Sequence, residues 1–257
     1  DGDGKTDFLR FDSGNRPFIV QFKKESNNLY SVIERGYYQN DDRVKGVNQR
    51  AVIGDFNGDG KSDLLIPTSD TTTDWYLYQS TGKAFLEEFK SNFALFRKDQ
   101  LVNSNDNGTA TIERTSHQAY DLDRDGKSDF VTFNYRKERV KFGSSQTIFS
   151  IYYYNTVDIK ISAGEKKFNN DIRYAFNEGP LADRSPMGGG TYLNERTKYD
   201  MQELLGNFRI NQSIHQIILV SPSTIRGVSG DRLKKIDFYD VSKEARISSI
   251  TQGGVKT

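Results

Sequence analysis

The chain contains no cysteine. That excludes a disulfide framework and a thiol nucleophile, and leaves the compartment open. Histidine is nearly absent too, with only His117 and His215. A lone histidine is more often structural than catalytic. No stretch approaches the roughly 18 consecutive apolar residues of a membrane span. The formal net charge is only +1, which gives no global case for nucleic acid or an acidic membrane as partner. There is no Arg-Gly-Asp tripeptide; Arg226-Gly227-Val228 is not one. Met187-Gly188-Gly189-Gly190 is a flexible loop and not a phosphate cradle, because no Gly-Lys-Ser/Thr follows it. No leader is visible, but the chain begins inside a motif, so a fragment of something longer is expected.

What the chain does have is one nine-residue loop, twice complete and once cut short. One copy reads Asp55-Phe56-Asn57-Gly58-Asp59-Gly60-Lys61-Ser62-Asp63. The next reads Asp121-Leu122-Asp123-Arg124-Asp125-Gly126-Lys127-Ser128-Asp129. A first copy survives as Asp1-Gly2-Asp3-Gly4-Lys5-Thr6-Asp7. Side-chain oxygens recur at positions one, three, five and nine. Position seven, Lys61 or Lys127, offers its backbone carbonyl. Gly60 and Gly126 at position six permit the sharp turn. Alternating oxygens in a curled loop suit a hard cation such as calcium, which takes about six to eight of them. Without sulfur or imidazole in the loops, zinc and copper are poor candidates. The third loop offers four carboxylates, and the second offers three plus the Asn57 amide. Charge count helps set affinity, so the third is expected to bind more tightly. The first copy offers Asp1, Asp3, Lys5 and Asp7, has lost position one, and is expected to bind weakly alone. Clustered Asp and Gly also make plain solvated turns; the repetition argues against that bland reading.

The loops are not EF-hands. Position twelve is Ile66 or Thr132 where an EF-hand needs glutamate, and no helices flank them. Leu64-Leu65-Ile66, Phe130-Val131-Thr132-Phe133 and Phe8-Leu9-Arg10-Phe11 are short apolar runs that read as strands. With 14 Tyr and 17 Phe, the composition favours a β-rich protein. About 56 residues separate Asp3 from Asp59, and about 66 separate Asp59 from Asp125; such periods suggest propeller blades. Second strands follow at 18–22, 75–78 and 149–154, and Ser80–Phe85 reads as a hairpin turn. The expected fold is all-β, a partial or complete β-propeller of four-stranded blades.

The run Gly54–Asp63 with its following apolar strand resembles the FG-GAP or VCBS repeat, which builds the propeller of integrin α chains and of many bacterial surface and secreted proteins. The resemblance covers roughly residues 1–160. It implies calcium ligands at Asp55, Asn57, Asp59, Lys61 (carbonyl) and Asp63, and at Asp121, Asp123, Asp125, Lys127 (carbonyl) and Asp129. Residues 161–225 are expected to form a degenerate blade or an insertion, with strands at 172–176 and 214–220 and a short helix at 199–205. Residues 226–257 look like a β-strand tail, similar to the start of an Rhs region. Calcium-loop blades followed by such a tail are similar to the B component of Tc toxins and to SpvB-like proteins.

The function expected is therefore a non-catalytic, calcium-stabilised propeller of a secreted or cell-surface bacterial protein. It would bind a protein partner or other parts of its own parent. Two alternatives stand beside it. One is a lectin-like propeller that stacks glycan rings on an exposed Trp75 and the Tyr152–Tyr154 run. The other is a polysaccharide-cleaving propeller enzyme, although no catalytic cluster is apparent.

Overall fold

The computed structural model describes residues 2, 7–26, 29–35, 44–97, 100–104, 110–141, 149–164, 167–183, 202–206, 215–220, 233–238, 251–252 and 255–256. Strands dominate, and no α-helix occurs among these residues. Each sheet is an antiparallel meander in chain order. The first holds β1 (Asp7–Phe11), β2 (Pro17–Lys24) and β3 (Tyr30–Arg35). The second holds β4 (Val52–Gly54), β5 (Asp63–Pro67), β6 (Thr71–Ser80) and β7 (Phe85–Arg97). The third holds β8 (Gln100–Ser104), β9 (Ala110–Tyr120), β10 (Asp129–Lys141), β11 (Phe149–Gly164) and β12 (Lys167–Asp183). A fourth follows with β13 (Gln202–Gly206), β14 (His215–Val220) and β15 (Leu233–Phe238), and then a small pair, β16 (Thr251–Gln252) and β17 (Val255–Lys256).

The local chemistry explains the meanders. Thr81 N donates to Ala84 O at 2.9 Å, and Gly82 takes φ +80°, so the expected turn joins β6 to β7. The second sheet has the four strands expected of a blade. The third has five, because β8 adds itself outside β9. The expectation of a helix at 199–205 is corrected: Gln202–Gly206 is a strand, paired Leu205 to Ile217 and Leu204 to Ile218. Leu204 is exposed while Glu203 and Leu205 are half-buried, which is the period of two of a strand edge. The Met187–Gly190 loop lies outside the described residues.

Alternation along the strands sorts side chains between neighbouring sheets. On β5, Leu64 and Ile66 join Val44, Tyr78 and Phe85 against Leu9, Phe11 and Ile19 of the first sheet. Leu65 joins Trp75, Leu77, Phe93 and Phe96 against Phe130 of the third sheet. On β10, Val131 and Phe133 join Val157 and Ile159 against Ile217 of the fourth sheet. All five residues of β5 are buried. A sheet lined on both faces cannot stand alone, and stacking on its neighbours is what gives it a core. Each fully buried Leu, Ile or Phe contributes about 1.5–3 kcal/mol. The all-β, blade-on-blade architecture agrees with the propeller reading.

Trp75 is not exposed. It is 1% accessible, its Nε1 donates to Ala94 O at 2.6 Å, and its ring meets Phe130 edge-on at 5.3 Å. It fills the space between blades and cannot receive a sugar. Tyr154 is 39% exposed; the side chains of Tyr152 and Tyr153 lie outside the described residues.

His117 sits in the same aromatic junction, stacked on Phe130 at 5.2 Å and edge-on to Trp75 at 4.8 Å. Its Nδ1 is 3.1 Å from Thr132 Oγ1, while Nε2 is buried with no hydrogen-bond partner. Desolvation pushes its pKa down to about 3. The folded state therefore refuses a proton that the unfolded chain accepts near its ordinary value of 6.5. Its contribution is complete above that value and is lost as pH falls toward 3. Urea unfolding at a series of pH values should show His117→Phe flattening the acid limb, by up to about 1.4 kcal/mol per pH unit. An unchanged limb would place the imidazole in contact with solvent.

Candidate metal centre

Residues 55–62 join β4 to β5, and residues 121–128 join β9 to β10, so each complete loop links two adjacent strands of one blade. The position-one aspartate curls its loop around itself. Asp55 Oδ1 accepts from Gly58 N at 2.7 Å and Asp59 N at 3.2 Å, and its Oδ2 accepts from Gly60 N at 2.8 Å. Asp121 accepts likewise from Asp125 N and Gly126 N, both at 3.1 Å. At position three, Asn57 Oδ1 accepts from Asp59 N at 3.0 Å and Asp123 Oδ1 from Asp125 N at 3.2 Å. Gly60 and Gly126 hold φ of +81° and +88°, where a side chain would be strained.

Position nine does something different. Asp63 and Asp129 are both 0% exposed. Asp63 accepts from Phe56 N at 3.1 Å and Ser80 N at 2.9 Å. Asp129 accepts from Leu122 N at 2.8 Å and Ser162 N at 3.0 Å. Each carboxylate thus ties its loop to the far end of the sheet's next strand. Burial raises the Asp129 pKa to about 7, with the Ser162 and Leu122 N–H groups opposing and the Asp123 and Asp121 charges adding. Burial likewise raises Asp63 to about 6, opposed by the Ser80 and Phe56 N–H groups and reinforced by Asp55 and Asp59.

Carboxylate oxygens of Asp121, Asp123 and Asp129 lie within 4.8 Å of one another. Position five is turned aside. Asp125 pairs with Lys127 Nζ, and Asp59 pairs with Lys61 Nζ at 2.8 Å. The Asp125 hydrogen bond is the main reason the Lys127 pKa is raised. In the second loop Asp55, Asn57 and Asp63 hold the corresponding places. Of the first loop, Asp7 opens β1 and accepts from Gln21 Nε2 at 2.7 Å; Asp1, Asp3 and Lys5 lie outside the described residues. The donors available to a cation are all oxygens, which fits a hard divalent ion and no soft one.

The two complete loops also touch each other, a contact that neither loop's residues announce alone. Ser128 N donates to Asp55 O at 2.6 Å, and Asp55 N donates to Ser128 Oγ at 3.0 Å. A Cβ on Gly58 would stand 3.1 Å from Lys127 Cγ, and one on Gly2 would stand 3.1 Å from Lys61 Cγ. Position four of one loop therefore nests on position seven of the next. A signal existed, since position eight is Thr6, Ser62 or Ser128 in every copy.

Residues 55–132 match the family model of the FG-GAP-like repeat. The FG-GAP-like stretch runs from the second loop to the strand after the third, and so takes in the loop-to-loop contact. FG-GAP repeats are β-propeller elements, and the family is one of structural and binding modules. No curated protein and no solved structure matches the chain.

A groove of about 390 Å³, lined by no residue of the loops, runs between β7 and the face of the third sheet. Arg173 grips Asp158 through Nε at 2.5 Å and Nη2 at 2.9 Å, and Asn134 Nδ2 reaches Asp158 at 2.9 Å. Arg114 lies 4.5 Å over the Tyr135 ring.

The closeness of the blades gives a test. A Cβ on Gly54 would stand 2.7 Å from Ala119 Cβ and 2.8 Å from Ser128 Cβ. Gly54→Ala should destabilise the chain by about 1–3 kcal/mol in urea unfolding. Wild-type stability would mean that the blades slide apart freely.

Proposed function

We propose that this chain is a calcium-stabilised, non-catalytic stretch of β-propeller. It serves as a structural and protein-binding module of a larger secreted or surface bacterial protein of the Tc/Rhs kind. The observation that carries the metal reading is the convergence of the Asp121, Asp123 and Asp129 oxygens, one of them fully buried. Carboxylates held this close repel unless protonated or offset by a cation. Calcium, when bound, supplies that offsetting charge. The chain's own part is to present the oxygens. Asp55 and Asp121 curl the loops, Asp63 and Asp129 anchor them, and the lysine ammonium groups hold Asp59 and Asp125 until a stronger cation competes for them. Loops of moderate affinity suit surroundings rich in calcium, which means outside the cytosol. The FG-GAP-like match supports the binding role. Among the described residues, no helix is long and apolar enough to cross a membrane.

Thermal unfolding of metal-stripped chain, titrated with calcium and separately with magnesium, tests the reading. At about 100 times its dissociation constant, an ion that binds only the folded state adds roughly 2.7 kcal/mol. A calcium-specific rise in Tm that shrinks in Asp125→Ala is expected. No rise with either ion would overturn the metal role.

The groove favours a second reading, carbohydrate binding. Its Arg173–Asp158–Asn134 cluster offers planar donors and acceptors for paired hydroxyls, and the exposed Tyr154 supplies a ring face. Glycan-array signal lost in both Tyr154→Ala and Arg173→Ala, with the circular dichroism unchanged, would support it. Absence of any signal from wild type would remove it.

A further inference from the structure

The two complete loops hold each other. Ser128 occupies both backbone groups of Asp55, the residue around which the second loop curls. A second path runs deeper. Ser162 N donates to Asp129 Oδ1 at 3.0 Å, and Ser162 Oγ donates to Phe56 O at 2.7 Å. Phe56 N in turn donates to Asp63 Oδ2 at 3.1 Å. A chain of hydrogen bonds thus joins the position-nine carboxylates of the two loops through two residues, and most of it is buried. Gly58 packed on Lys127 closes the contact at the rim.

We infer, resting on the calcium reading above, that Ser128 and Ser162 are positioning residues that couple the loops, so that each fills more readily when the other is filled. A loop must be ordered to present its oxygens, and that ordering has an entropic cost. When a cation fixes 121–129, it also fixes Ser128, and with it the backbone of Asp55. It fixes Asp129, and through Ser162 and Phe56 the orientation of Asp63. The second loop then meets its ion with part of the ordering already done. Linkage makes the effect reciprocal. The serines ligate nothing themselves. Their hydroxyls lie between the sites, which separates their role from that of the aspartates.

The test is isothermal titration of calcium into the full metal-stripped chain and three variants. Asp123→Ala removes the position-three oxygen altogether and so cripples the third loop, which an asparagine, the ligand the second loop uses there, would not. Ser128→Ala removes the hydroxyl that accepts from Asp55 N, keeps the backbone bond to Asp55 O, and leaves every oxygen ligand in place. The third variant combines them, which completes a double-mutant cycle. In the wild-type background, Asp123→Ala should weaken the remaining site by about fivefold or more, the lower end of ordinary coupling. With Ser128→Ala already present, adding Asp123→Ala should weaken the second site clearly less than it does in the wild-type background, the remainder passing through Ser162 and Phe56; an equal loss in both backgrounds overturns the role of Ser128. Should Ser128→Ala lose its β-sheet signal in circular dichroism, Ser162→Ala takes its place in the cycle. A second-site affinity indifferent to Asp123→Ala in the wild-type background overturns the coupling while leaving calcium binding intact. No calcium heat from wild type at all overturns the calcium reading, and the coupling with it.

Discussion

Asp63 and Asp129 each open a strand, lie out of solvent, and accept two backbone N–H groups from separate parts of their own sheet. Burying a carboxylate is unfavourable by several kcal/mol unless it is paired or well hydrogen-bonded. Hydrogen bonds to a charged group return roughly 1.5–3 kcal/mol each. The chain resolves the conflict by making the buried charge a rivet between a loop and a distant strand end. Everything near the loops depends on it. The direction in which the loop leaves its sheet, the closeness of the other carboxylates, and the docking on the neighbouring loop all follow from that anchor.

Away from the loops, the stack is held by aromatics that belong to two sheets at once. Trp75, His117, Phe130, Phe93 and Phe96 form one contiguous junction of edge-on, tilted and stacked rings. Edge-to-face pairs add about 0.5–1.5 kcal/mol each beyond area burial. A neutral imidazole is tolerated there because one nitrogen finds Thr132 and the ring stacks on Phe130. The loops and the aromatic junction are therefore two fastenings of the same pair of blades, one polar and one apolar.

Much of this was legible in the residues. The loop repeats gave their own boundaries, because Gly60 and Gly126 mark the turns and the apolar runs after Asp63 and Asp129 mark the strands. The Ser80–Phe85 turn was equally plain. Other features were hidden for physical reasons. Trp75 looked available because its neighbours Thr73, Asp74 and Gln79 are polar, and only a partner blade covers it. Leu204 and Leu205 follow a stretch compatible with either period, and it is pairing with Ile217 and Ile218 that decides for strand. β8 as a fifth strand has no local signature, since any edge with free backbone groups can recruit one. Ser128 reads as an ordinary turn residue until the loop of another blade is set beside it.

Position four gives the stack a direction. Gly2 and Gly58 leave room for the lysine of the following loop. The third loop has Arg124 at that place, held at φ +63° in a region that side chains rarely visit. Arg124 carries a side chain where the two upstream loops have none, so the glycine notch that receives a lysine upstream is not offered by the third loop. In the language of polymers, the contact between loops is head-to-tail: a glycine notch on one loop receives the lysine of the next. A head-to-tail joint of this kind is asymmetric, so each loop presents one surface to the loop before it and a different one to the loop after it.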